Sequence, residues 1–221
     1  MFIQPSTGFI IPQTEHLKLA GEIASHWGNE SFHKPTIDHK AFVHGVTYHD
    51  QAFGTMDTLS IKGMTPEARH TILTQLVAQD LGNPVSNIVA LMHVLRLIGV
   101  DPKRTELKNQ CLNRIDREIE KTPYLHHDFA WADPITELCD NISFDLCLEE
   151  PTPAVGHVYQ LRNDKEQTPI TYTIRAAIIT LDPWPLDVAL VEGWLIGYEQ
   201  VGYPKSPPHK IPYHIKPASS A

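Results

Sequence analysis

Across the first 150 residues, apolar side chains recur at helical spacing in six successive segments; beyond residue 151 that spacing gives way to β-like alternation. This change restricts the chain to architectures that assemble helices first and add strands afterwards. "TEHLKLAGEIASHWG" spaces Leu17, Leu19, Ala20, Ile23, Ala24 and Trp27 as a helix capped by Thr14 and stopped at Gly28. "DHKAFVHGVTYHDQAF" reads as a second helix with Asp38 as its cap, and "GMTPEARHTILTQLVAQDLG" as a third entered by Thr65-Pro66. "NPVSNIVALMHVLRLIG" is a strongly apolar fourth helix ended by Gly99. The charged, amphipathic "TELKNQCLNRIDREIEKT" makes a fifth, stopped before Pro123. In "DPITELCDNISFDLCLEE" Asp133 is the expected cap of a sixth, with Pro134 in its first turn.

"AVGHVYQLR" and "ITYTIRAAIITLDPWP" are rich in Val, Ile, Thr and Tyr, which predicts a small antiparallel hairpin or sheet. "LDVALVEGWLIGYEQVG" reads as one further helix, weakened by Gly193 and Gly197, and the proline-rich tail from Tyr203 as surface-running extended chain. Residues 1–12 read as a short extended segment. The expected fold is therefore mainly α: a helical bundle over residues 1–150, with a C-terminal β appendage and proline-rich tail over 151–221.

A formal net charge of -8 opposes partners that are themselves anionic, so neither a nucleic-acid polymer nor a membrane surface is expected. Cys111, Cys139 and Cys147 form no CxxC pattern and read as reduced core thiols. "MFIQPSTGFIIPQ" lacks the basic and apolar regions of a signal peptide, and no window approaches the roughly 18 apolar residues of a membrane span. A cytoplasmic location is expected. A small molecule, and a second copy of the chain, are the partners left open.

The chemistry concentrates on the adjacent His49 and Asp50 in "TYHDQAFG". Neighbours on a helix point about 100° apart, so these side chains can meet only on an object lying between them, such as a metal ion. Companions stand on other predicted helices: His16 in the first, His93 among core residues of the fourth, and Asp140 in an apolar stretch where an unpaired carboxylate would be costly. Such stations can focus on the centre of a bundle.

The order His … His-Asp … Asp resembles the signature of the HD superfamily, whose metal ligands map to His16, His49, Asp50 and Asp140. Members that hold two metals carry further histidines between the doublet and the last Asp; His93, with His126 or His127, fills that place here. "QTEHLKLAGEIASHWG", "LMHVLRLIG", "LCDNISFDLC" and "LDPWPLDV" are similar to blocks of a mostly bacterial branch with no assigned function, a likeness covering most of residues 10–200. The chain departs from that branch at Tyr48, where His is usual, and at Ala52-Phe53, where Gly-Trp is usual.

The resemblance implies a helical domain that binds one or two divalent ions. Mixed imidazole and carboxylate donors suit Mn, Fe, Co, Ni, Zn or Mg, and such a shell leaves open positions of the kind catalysis needs. The expected activity is metal-dependent hydrolysis of a phosphate ester, a nucleotide being one candidate, with Asp50 and His93 as catalytic groups. The alternatives are a diiron oxygenase of the myo-inositol oxygenase type and a non-catalytic metal- or ligand-binding sensor. Lys62, Arg69 and Arg96 are the cations to look for near a phosphate. Trp184 is expected to lock the strands to the helices, and His44 lies close enough to the doublet to matter.

Overall fold

The computed structural model describes residues 1–57 and 60–218. Six helices form: α1 (Gln13–Ser25), α2 (His39–Thr47), α3 (Pro66–Ala78), α4 (Pro84–Ile98), α5 (Thr105–Ile119) and α6 (His126–Leu148). Seven strands accompany them: β1 (Phe2–Ile3), β2 (Ile10–Ile11), β3 (Ala154–Val158), β4 (Thr168–Arg175), β5 (Ile178–Asp182), β6 (Val191–Tyr198) and β7 (Pro208–Pro217). The strands make one sheet in the order β1-β2-β6-β7-β5-β4-β3, antiparallel except for the parallel β5–β7 pair. It curls into a half-barrel.

This corrects the expectation of a mainly helical bundle with a small β appendage. Helix accounts for 46% and strand for 20% of the chain, and the sheet gathers strands from both ends of it. Ile10 at the start pairs with Tyr198 near the end, a contact that no local spacing announces. The segment expected as a last helix is instead β6. There Gly193 and Gly197 lie beneath the side chains of Tyr213 and Ile211, so the lack of a side chain lets the neighbouring strand pack across them.

The proline-rich tail likewise becomes β7 rather than a surface strap, and its last residues, 219–221, lie outside the described residues. Pro208 and Pro212 fall in the half of β7 that pairs with β6 alone, and Pro217 ends the strand. Their missing N–H groups therefore need not interrupt a ladder bonded on both sides.

Alternation along the strands turns Ile170, Tyr172, Ile179, Leu181, Val191, Leu195, Tyr213 and Ile215 inward. α6 packs on β3 and β4 and α1 on β6, while α2 and α4, then α3 and α5, extend the core away from the sheet. Leu19, Ile23, Ile88, Leu91, Ile135 and Ile142 are fully or almost fully buried between these helices. Each such side chain contributes about 1.5–3 kcal/mol by leaving water. At the sheet–helix junction, Tyr172 donates to the Asp145 carboxylate at 2.6 Å.

Two helix boundaries differ from the sequence reading in ways that shape the site. α2 stops at Thr47, so His49 and Asp50 occupy the turn before a 3-10 helix, Gln51–Met56, rather than continuing a helix. α6 begins at His126, so Asp133 is not its cap and Pro134 lies inside it. The helix runs on through the proline because Ala130, whose carbonyl loses its helical donor there, is exposed to water. No described helix is long and apolar enough to cross a membrane.

Candidate metal centre

Four elements deliver the site. His16 comes from the first turns of α1, His49 and Asp50 from the turn after α2, His93 from the middle of α4, and Asp140 from the middle of α6. The helix ends are specified locally. Asp38 caps α2 by accepting from the Ala41 N–H at 2.7 Å, and Asn83 caps α4 by accepting from the Val85 N–H at 2.9 Å. Gly45 lets α2 press against α4; a β-carbon there would stand 2.9 Å from the Ser86 carbonyl oxygen.

Two trios of donor atoms converge: His16, His49 and Asp140, and His49, Asp50 and His93. Asp140 Oδ1 lies 3.2 Å from His16 Nε2 and 3.1 Å from His49 Nε2. Ligands held 2.0–2.2 Å from a common ion stand about 3 Å apart when their bonds meet near 90°. The spacing fits a divalent ion.

Proton positions agree. Ser143 Oγ donates to the Asp140 carbonyl at 2.9 Å, so it accepts from His16 Nδ1 at 2.8 Å. His16 Nε2 is then left with its lone pair. That atom is buried and makes no aligned hydrogen bond, although the Asp140 carboxylate is beside it. A lone pair facing a carboxylate is repulsive unless a cation lies between them. His49 Nδ1 donates to the Val46 carbonyl and turns Nε2 toward Asp140.

Without an ion, protons carry the positive charge. Burial disfavours a charged His49, but the Asp140 carboxylate, then Asp50, outweigh it and raise the imidazole pKa. Burial also opposes ionisation of Asp140, yet His93 and His49 hold its pKa well below the usual carboxylate range. Asp50 is lowered in the same way, the His93 imidazole overcoming the effect of burial. Both carboxylates are thus held in the ionised form.

His93 Nε2 lies 2.9 Å from Asp50 Oδ1, and its Nδ1 lies 3.4 Å from both Asp140 Oδ2 and Arg96 Nη2. His93 Nε2 donates to Asp50 Oδ1, a contact that helps hold Asp50 ionised, while Arg96 lies against the other side of the ring. Arg96 also pairs with Asp133, the residue expected to cap α6.

The other anticipated residues lie elsewhere. His126 and His127 are exposed at the start of α6, against Asp116 and Asp128, and do not join the cluster. Lys62 pairs with Glu150, Arg69 is exposed on α3, and His44 packs against Tyr48 at 4.7 Å between ring centres. Trp184 donates from Nε1 to the Val188 carbonyl, while its own carbonyl accepts from Asn29, joining this loop to the chain after α1. All three cysteines are buried free thiols, and burial pushes Cys111 up to about 12. The sequence reading missed Ser143. Its signal was its place three residues beyond Asp140, on the same face of the predicted helix.

A family described as "Protein of unknown function (DUF3891)" matches residues 4–70. That stretch carries His16, His49 and Asp50 and ends within α3, before His93 and Asp140. No curated protein and no solved structure matches the chain.

Proposed function

We propose that the protein is a metal-dependent hydrolase of a phosphate ester, with His16, His49, Asp50 and Asp140 holding a divalent ion. The observation that carries this reading is the approach of two buried imidazole nitrogens to one carboxylate oxygen, with the far side of each ring fixed by Ser143 or by the Val46 carbonyl. Outer hydrogen bonds of this kind orient metal-ligating histidines. When bound, the ion supplies Lewis acidity to a phosphoryl oxygen and makes water a stronger acid.

The chain's own groups supply the rest. His93, protonated at Nε2, orients Asp50 and can pass or recover a proton there. Asp50, held ionised beside His93, can accept a hydrogen bond from the attacking water and orient it. The enclosing core keeps bulk water away from His16 and His49. The diiron alternative needs a further imidazole beside His93, and neither His126 nor His127 brings one.

Elemental analysis of the purified chain, followed by turnover of a phosphoester panel with Mn or Mg, tests the proposal. Stoichiometric metal and turnover are expected, and Asp50→Ala should remove both together. Retention of both by that variant refutes the assignment; metal without turnover across the panel favours the sensor reading.

A further inference from the structure

The buried cluster reaches solvent along one rim. The side chains of His16 and His49 are fully buried and His93 is 2% exposed, whereas Asp140, Asp133 and Arg96 keep 16%, 19% and 23% of their surface. These three side chains, two anionic and one cationic, are linked through His93 and Arg96 and form the more exposed edge of the cluster. For an anionic substrate, Arg96 is the point of attraction.

Its placement suits that task. Arg96 lies one helical turn after His93 on α4, with Nη1 on Asp133 and Nη2 on His93 Nδ1. A guanidinium has more N–H donors than these two contacts use, set in a planar fork that matches phosphoryl oxygens. Asp133 holds the fork in place, so little rotamer freedom remains to be lost on binding.

We propose that Arg96, positioned by Asp133, is the receptor for the phosphoryl group of the ligand at the rim of the cluster beside Asp140. This deepens the hydrolase reading, on which it rests: the substrate is a molecule with an unshielded phosphoryl group that can lie against Arg96 and Asp140 together.

The test is calorimetric titration of inorganic phosphate, and separately of phenyl phosphate, into the Mn-loaded full chain. Affinity should fall about tenfold or more in Arg96→Met, as expected on losing a charge-assisted hydrogen bond. It should recover in part in Arg96→Lys and stay unchanged in Lys62→Met. The double variant Arg96→Met/Asp133→Asn leaves no orphaned carboxylate and serves if the single variant does not fold. Where affinity falls in Arg96→Met, tighter binding of phenyl phosphate identifies an ester as the ligand and tighter binding of inorganic phosphate the free anion, and Arg96 is upheld as receptor in both cases. Wild-type affinity in a metal-replete Arg96→Met chain, or no phosphate binding by wild type, overturns the inference. Arg96-dependent binding without turnover of any phosphoester upholds it while refuting the hydrolase.

Discussion

His16 on α1 and Ser143 on α6 share a 2.8 Å hydrogen bond that decides which imidazole nitrogen faces Asp140. Two helices 127 positions apart in the chain are thereby tied at the candidate centre. The serine proton is spent on the Asp140 carbonyl, so the histidine must donate.

That hydrogen bond has a measurable consequence. Ser143→Ala removes the acceptor that fixes the His16 tautomer while leaving the proposed metal donors in place. Metal affinity should fall about 10–100-fold with the fold retained, the range expected on losing such a partner. Competition titration with a metallochromic chelator measures it, and unchanged affinity would show that Ser143 does not orient the ring.

The pH dependence of the metal-free chain follows from charge placement. Asp140 and Asp50 are depressed below the ordinary 3.8, so their contribution is present above that value and lost as pH falls through the lowered ones. His49 is raised above 6.5, so its contribution is full below that value and lost as pH rises through the raised one. Stability from this cluster should therefore peak between those limits. A divalent ion bound as proposed would displace the His49 proton, so its effect should run the other way. Thermal melts at about pH 6 and about pH 8 should show the metal-free chain weakening and the metal-induced rise in Tm growing. A metal-induced rise that shrinks toward high pH contradicts the donor assignment.

Gly45 sets how closely α2 approaches α4, and through that the separation of the doublet from His93. In Gly45→Ala the new methyl would press on the Val89 side chain and on the Ser86 carbonyl, where backbone cannot easily yield. The cost should be about 1–3 kcal/mol. Denaturant unfolding checks this, and metal affinity should weaken in parallel. Unchanged stability would mean that the helices separate freely.

Strain is also stored far from the centre. The β4–β5 hairpin turns through Ala176 at φ 48° and Ala177 at φ 60°, where a β-carbon is disfavoured. Asn-Gly suits a two-residue turn of this hand. Ala176→Asn/Ala177→Gly should stabilise by about 1–2 kcal/mol, or about 2–4 °C in Tm for each kcal/mol gained. A lower Tm would show that the alanine pair does not strain the turn.

Local signals in the sequence were enough for the existence of the six helices and for the starts of α2, α3 and α4, whereas α1 begins before the expected Thr14 cap. Asp38, Thr65 and Gly99 act where capping chemistry places them, because a cap depends on residues only a few positions away. The apolar settings of His93 and Asp140 were visible for the same reason. The β6 segment and the tail were misread because Gly and Pro carry opposite meanings in an isolated segment and in a paired strand. Asp133-Pro134 has the order of a cap and a first-turn proline, but α6 is already under way from His126.

The amino-acid sequence by itself determined the helical segments and placed imidazoles and carboxylates on several of them, since periodicity and capping act over a turn or two. Tertiary structure alone decided that β1 and β2 close onto a sheet built from the other end of the chain, that His126 and His127 stay outside, and that Ser143 and Arg96 belong with the cluster. Those outcomes depend on pairings between distant residues, whose free energy exists only once the core has brought them together.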